Sequence, residues 1–312
     1  MCIRDSKELD PSFYPYKVWS SIAERLRVKM AKILNCSEDH ITHAASTSDI
    51  LNIIANGYPL KDNETVCTLD KEYPSVVLPW MLAKQNRGIA FDLVSIASDA
   101  GAPTSDWLKE NIPANTRVLN LSHVTFDTGK RIDIIDIGKF CKQRDIFLVI
   151  DATQSLGGIH ISKEELSYID VLACSSYKWI LGPYGHAFAY FSKRAQELIQ
   201  NQNANWLKSP RSQKVYNLLD YTTETHPGAR CFDRGQTSNM LTLSCLEAGL
   251  DFLTQVGLQN IELHNKEIRD HFLSNLPKNK YNLITPEDQM GNIICLKSVS
   301  YTHLTLPTIC SV

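Results

Sequence analysis

Five short apolar runs, set apart by helix-patterned stretches, constrain this 312-residue chain more than any other feature. They are TVCTL at 65–69, IAFDLVSI at 89–96, RVLNLSHV at 117–124, FLVID at 147–151 and IDVLAC at 169–174. Each has the length of a strand, and helical spacing marks 47–56, 75–86 and 133–145 between several of them. Apolar strands joined through helices imply a mostly parallel central sheet with helices on both faces, an α/β class. In such sheets a ligand sits outside the carboxyl ends of the strands.

The pattern extends in both directions. Residues 17–35 read as an amphipathic helix, because Val18, Ile22, Leu26, Met30 and Ile33 recur at helical spacing, and 185–192 reads as a further strand. Helices are expected over 238–255 and 257–275, with short strands at 280–284 and 293–297. The polar, poorly periodic segment 201–236 is expected to be a long functional loop or a dimer contact. The expected organisation is an N-terminal helical segment over 7–40, a large domain over 41–255 and an incomplete small α+β domain over 256–298. MCIRDS at 1–6 and the tail at 299–312 share no period with their neighbours and resemble translated adapter sequence. Both are set apart from the fold as artefactual ends, and the chain is expected to be a fragment of a longer protein.

Composition narrows the function classes. A net charge of −2 gives no electrostatic reason for nucleic acid or an anionic membrane as partner. The nine cysteines include no C-x-x-C pair and no Cys/His cluster at zinc spacing, so reduced thiols and no metal are expected. No apolar run approaches the ~20 residues needed to span a bilayer, and no secretory segment opens the chain, so the expected location is cytoplasmic.

Polar residues gather where the strands should end. Ser122 and His123 close VLNLSH, Asp151 closes FLVID with Gln154 three residues on, and Ser175, Tyr177 and Lys178 close VLACSSYK. Ser46, Thr47 and Ser48 stand where an apolar strand meets a helix. Singly, each has an ordinary explanation as a turn residue, a helix cap or a solvated tip. Together they offer a helix start able to hold a phosphate, then a carboxylate, then an amine. That set meets the needs of pyridoxal 5'-phosphate (PLP). Its aldehyde takes a lysine amine as a Schiff base, and its pyridine nitrogen takes a carboxylate.

The stretch VIDATQSLGG followed by SSYKWILGPYGHAFAYFS resembles the class V aminotransferase family of fold type I PLP enzymes. That family includes cysteine desulfurases, selenocysteine lyases, kynureninase and isopenicillin-N-epimerase-like proteins. The resemblance implies a large PLP-binding domain with Lys178 as the catalytic Schiff-base lysine and proton shuttle. It pairs Asp151 with the pyridine nitrogen and Gln154 with the phenolic oxygen. Thr47, Ser48, Ser175 and Tyr177 would surround the phosphate, Tyr73 would lie against the ring, and Ser122 and His123 would lie near the cofactor. PGARCFDRGQTSN resembles the family's later block, through which Thr237 and Asn239, with Trp206 by analogy with kynureninase, would reach a neighbouring subunit. A homodimer follows from that.

Three departures bear on the reaction. Tyr73 stands where desulfurases carry His, no arginine follows Arg269 to hold a substrate carboxylate, and the desulfurases' cysteine loop is missing. The expected function is therefore PLP-dependent action on an amino acid, of transaminase, Cβ-lyase or epimerase type, with cysteine desulfurase ranked lower. The competing reading is a truncated relative that binds cofactor and dimerises without turnover. A nicotinamide dehydrogenase is set aside because no G-x-G-x-x-G follows the first strand.

Overall fold

The computed structural model describes residues 21–97, 100–205, 208–209, 219, 221–234 and 240–299. Seven strands form one sheet: β1 (Ile41–Ala44), β2 (Thr65–Leu69), β3 (Ala90–Val94), β4 (Thr116–Ser122), β5 (Phe147–Asp151), β6 (Val171–Ser175) and β7 (Ala187–Phe191), in the order β1-β7-β6-β5-β4-β2-β3. The pairs β2–β3, β2–β4, β4–β5 and β5–β6 are parallel, whereas β7 is antiparallel to both β6 and β1. Only β7 therefore runs against the rest, and the carboxyl ends of the other six share one edge. The α/β fold with a mostly parallel sheet is as the apolar runs imply.

Alternate residues of the central strands serve two cores. Leu119, Leu121, Leu148, Ile150 and Leu172 pack on one face, while Val118, Phe147, Val149, Val171 and Ala173 pack on the other. Burial on both faces is why these strands lack a polar alternation.

The helices are α1 (Ile22–Ile33), α2 (Thr47–Gly57), α3 (Pro74–Arg87), α4 (Ser105–Asn111), α5 (Ile134–Gln143), α6 (Lys163–Leu166), α7 (Lys193–Leu198), α8 (Met240–Val256) and α9 (Leu258–Ser274). Two have starts that matter for the site. Ser46 caps α2, its side chain accepting the Asp49 N–H at 3.1 Å. Pro74 opens α3 directly after Tyr73, and Gly88 closes it at φ +71°, the left-handed conformation that ends many helices. Beyond α9, β8 (Tyr281–Leu283) and β9 (Leu296–Ser298) form a two-stranded antiparallel sheet. Among the described residues no helix is long and apolar enough to cross a membrane.

The structure gives bounds to the strand ahead of Ser46 and adds short elements that periodicity did not reveal. β1 is four residues long and its polar members Thr42 and His43 are fully buried. Helices α4, α6 and α7 are seven residues or shorter, too brief for an apolar stripe to repeat. In the polar segment read as a loop, Gly228–Phe232 forms a 3₁₀ turn, and Arg27 of α1 holds Asp233 at 2.6 Å just beyond it.

Candidate active site

The shared edge of carboxyl ends carries the site. Ser122 of β4 pairs in register with Asp151 of β5, and Asp151 pairs with Ala173 of β6. Each of these strands then hands its last polar residues to a cavity of about 230 Å³. Its walls include Thr47, Ser48, Tyr73, Ser122, Asp151, Gln154, Ser175, Tyr177 and Lys178. Ten of the residues picked out by sequence, Ser46 included, thus meet in one place, although they come from five separate segments.

The hydroxyl end of the cavity is built around the start of α2. The Thr47 hydroxyl is 2.8 Å from that of Ser175 and 3.0 Å from that of Thr153, and the Ser48 hydroxyl donates to Ser75 at 2.8 Å. Hydroxyls at the amino end of an eleven-residue helix face the positive end of its dipole, which suits an anion.

Asp151 meets this group of hydroxyls through Thr153. It is buried and accepts the Thr153 N–H at 2.8 Å. Burial pushes its carboxyl above the usual range, against the Thr153 donors and the Lys178 ammonium, which pull it down. Lys178 is half-buried, and burial lowers its pKa while the charge of Asp151 raises it. Each group is drawn to the other, yet burial is the larger effect on both. An amine shifted this way gives up its proton more readily, as a nucleophile must.

Aromatic rings frame the amine. Lys178 Nζ lies 6.0 Å from the Tyr73 ring centroid and 5.9 Å from that of Tyr177. Tyr73 meets Phe126 edge to face at 5.3 Å, and Tyr177 stacks on Tyr184 at 4.0 Å. A planar ring entering here finds aromatic faces to lie against. The Lys178 loop itself is seated by Gly157, at φ +105°, where an added Cβ would fall 2.2 Å from the Trp179 carbonyl oxygen.

His123 is a correction. It follows the last residue of β4, and its fully buried ring does not line the cavity. Its Nδ1 is 2.9 Å from the Ser155 hydroxyl, and its Nε2 accepts from Arg131 at 3.3 Å. Ser122 and Val124 line the cavity and His123 between them does not, the alternation of an extended segment. Burial and the Arg131 charge hold the imidazole neutral, with a pKa lowered to about 3. Thr237, Asn239 and Trp206 lie outside the described residues. Arg269, the last arginine of the sequence, donates to the Gly291 carbonyl and is absent from the cavity wall.

Sequence reasoning missed Thr153, which touches Thr47, Ser175 and Asp151 at once. Its position within DATQ, between the two residues that were singled out, was the only available sign. Phe126, Ser75 and Tyr184 gave none.

Comparison with known proteins gives the family and the fold. A family model described as Aminotransferase class-V matches residues 16–310. A probable cysteine desulfurase of Methanothermobacter thermautotrophicus is 25% identical over 79% of this chain and 59% of its own length. An uncharacterized protein of Schizosaccharomyces pombe is 29% identical over 80% of this chain and 57% of its own. The chain thus spans a little under three fifths of these two relatives. Among solved structures, one of C-DES with glycine covalently linked to its PLP cofactor superposes with a TM-score of 0.81 at 18% identity. It covers 95% of this chain and 77% of that one, a likeness of fold.

Proposed function

The chain belongs to the class V aminotransferase family, and from that premise we propose that it is a PLP-dependent enzyme that works on an amino acid through Lys178. One observation carries the reading: the amine of Lys178 and the buried carboxylate of Asp151 open into the same cavity. The residues fit the cofactor by the chemistry of their donors. Thr47, Ser48 and Ser175, at the start of α2, suit its phosphate. Asp151, whose charge is poorly served by neutral donors alone, suits a protonated ring nitrogen. Gln154 suits the phenolic oxygen, and Tyr73 suits the ring face. When bound, the cofactor supplies an electron sink for charge at the substrate's Cα. Lys178 Nζ would hold the cofactor and is the base placed to move a proton at the substrate's Cα, while Asp151 would hold a proton on the ring nitrogen. Tyr177 is assigned with Ser175 to the phosphate, and Thr237 and Asn239 are assigned to the phosphate of a partner subunit. A homodimer would cover Leu78, Met81 and Leu82, an exposed apolar stripe on α3.

Within this class, cleavage at Cβ of a sulfur-bearing amino acid is the preferred reaction. The relative named above as a probable cysteine desulfurase, and a neighbour described as cystine C-S lyase, favour that substrate type. Sulfur transfer to a protein cysteine is less favoured, because no cysteine lines the cavity among the described residues. Cys295 stands beside β9, its N–H bonded to Thr285 and its thiol pushed up by burial.

The test is spectroscopic, then chemical. Purified protein given PLP should turn yellow, and borohydride should fix the cofactor covalently on Lys178, located by peptide mass. Protein that stays colourless in excess PLP refutes the reading. A panel of amino acids should then yield a keto acid, with sulfide from cysteine and with cysteine persulfide from cystine. Keto acid without sulfide from other amino acids would reassign it to transamination. Cofactor binding with no turnover would leave the non-catalytic reading.

A further inference from the structure

Glu72 stands outside the cavity wall yet joins two of its parts. It is 8% exposed and precedes Tyr73 at the head of α3. One carboxylate oxygen accepts the Ser122 N–H at 2.8 Å, the other accepts the Ser122 hydroxyl, and the Tyr73 N–H also bonds to this carboxylate. Ser122 is the register neighbour of Asp151. A single buried carboxylate therefore ties the residue that faces the ring to the strand end beside the residue that faces the ring nitrogen.

On its far side Glu72 lines a separate cavity of about 40 Å³ with Lys71, Asp127 and Lys130. Burial raises the Glu72 carboxyl to about 7, opposed by the Ser122 donors, with the Asp151 charge pushing it further up. A fixed carboxylate bonded through neutral donors costs stability by itself, and an apolar or amide side chain would pack there at less cost. Sites that keep such a group are often functional.

We propose that Glu72 is a positioning residue of the cofactor site, clamping Tyr73 and Ser122 in register with Asp151 and adding a second negative charge near that of Asp151. The inference rests on the PLP reading above. In the ionised state the carboxylate favours positive charge on the bound chromophore. Its removal should let the chromophore lose a proton at lower pH.

The experiment compares wild type, Glu72→Gln and Ser122→Ala, each loaded with PLP, folding being checked by circular dichroism. The readouts are PLP retention on dialysis and the pH at which the visible band of the bound cofactor changes. Glu72→Gln should retain PLP several-fold less well, and its transition should fall by on the order of half a pH unit or more. Ser122→Ala, which leaves the carboxylate but removes one of its donors, should weaken retention with a smaller spectral change. Wild type that takes up no PLP overturns the functional reading itself. Wild type that binds, with a folded Glu72→Gln that matches it in both readouts, overturns the role of Glu72 alone. Should Glu72→Gln not fold, Ser122→Ala decides: wild-type retention and an unmoved transition refute the clamp, and weakened retention supports it.

Discussion

Glu72 should make the cofactor-free protein less stable as the pH rises through neutrality. Its carboxyl is raised from 4.5 to about 7 in the folded chain, chiefly by burial. The folded state therefore holds a proton that the unfolded chain has released, between those two values. The stabilisation from that proton is complete below pH ~4.5 and is lost as the pH passes about 7. At about 1.4 kcal/mol for each pH unit, the full loss is on the order of 3 kcal/mol, and roughly 2 to 3 kcal/mol of it falls between pH 5 and 8. Buried histidines that are held neutral act in the opposite direction, so the wild-type curve alone does not isolate Glu72. Glu72→Gln does isolate it, because every other group is common to both proteins. Gln loses part of the Ser122 and Tyr73 bonding, about 1 kcal/mol at any pH. Near pH 5 the variant should match the wild type or fall slightly below it, and at pH 8 it should be the more stable by about 2 kcal/mol. Urea unfolding of the cofactor-free proteins at both pH values measures this. Parallel changes in the two proteins would show that the Glu72 carboxyl ionises normally, and the electrostatic reasoning would fail.

Three further outcomes follow from the same contacts. Gly157→Ala should cost more than about 3 kcal/mol, because the new Cβ meets a backbone carbonyl at a positive φ; an unchanged melting temperature would show that the Trp179 turn is not rigid. Tyr73→Ala should leave stability within about 1 kcal/mol, since Tyr73 is 41% exposed, yet weaken PLP binding about three- to tenfold in a fluorescence titration. Burial lowers His123 and His186 to about 3, so the stability from keeping them neutral is present above pH ~6.5 and is lost as pH falls toward 3. The slope of stability against pH between about 6 and 4 should accordingly be shallower in His123→Asn than in wild type, read from denaturant midpoints.

The central sheet was legible because its strands are buried on both faces and so stand out as apolar runs. Asp151 and Lys178 were legible as polar residues that end such runs. β1 was legible only as a strand ahead of Ser46 and not by its bounds, since ITHA offers two polar side chains whose burial depends on partners far away: Thr42 bonds to Asp233 at 3.2 Å and His43 to His186 at 3.0 Å. Thr153 was missed for the same reason. Its hydroxyl matters through Thr47 and Ser175, which lie 106 and 22 residues away. His123 was misplaced because a motif gives order along the chain and not the side of the strand a residue faces. Glu72 looked like an ordinary charged loop residue until Ser122, 50 residues on, was seen to bond it.

Two buried carboxylates and a half-buried amine gather in and beside one cavity. Asp151 and Glu72 are buried carboxylates whose hydrogen bonds come from neutral donors, and both are raised by burial. Lys178 is an amine drawn half out of water. For stability alone each of these could be replaced at a gain. Their cost makes sense if a ligand completes them, and their placement dictates its charges: positive toward Asp151, electrophilic toward Lys178, negative toward the head of α2. A flat ring with a basic nitrogen, an aldehyde and a phosphate satisfies all three at once. A nucleotide phosphate would meet the helix start but leave the carboxylate repelling it, and a simple carboxylic acid would leave the aromatic walls without a partner. The charge pattern is thus more selective than any one residue in it.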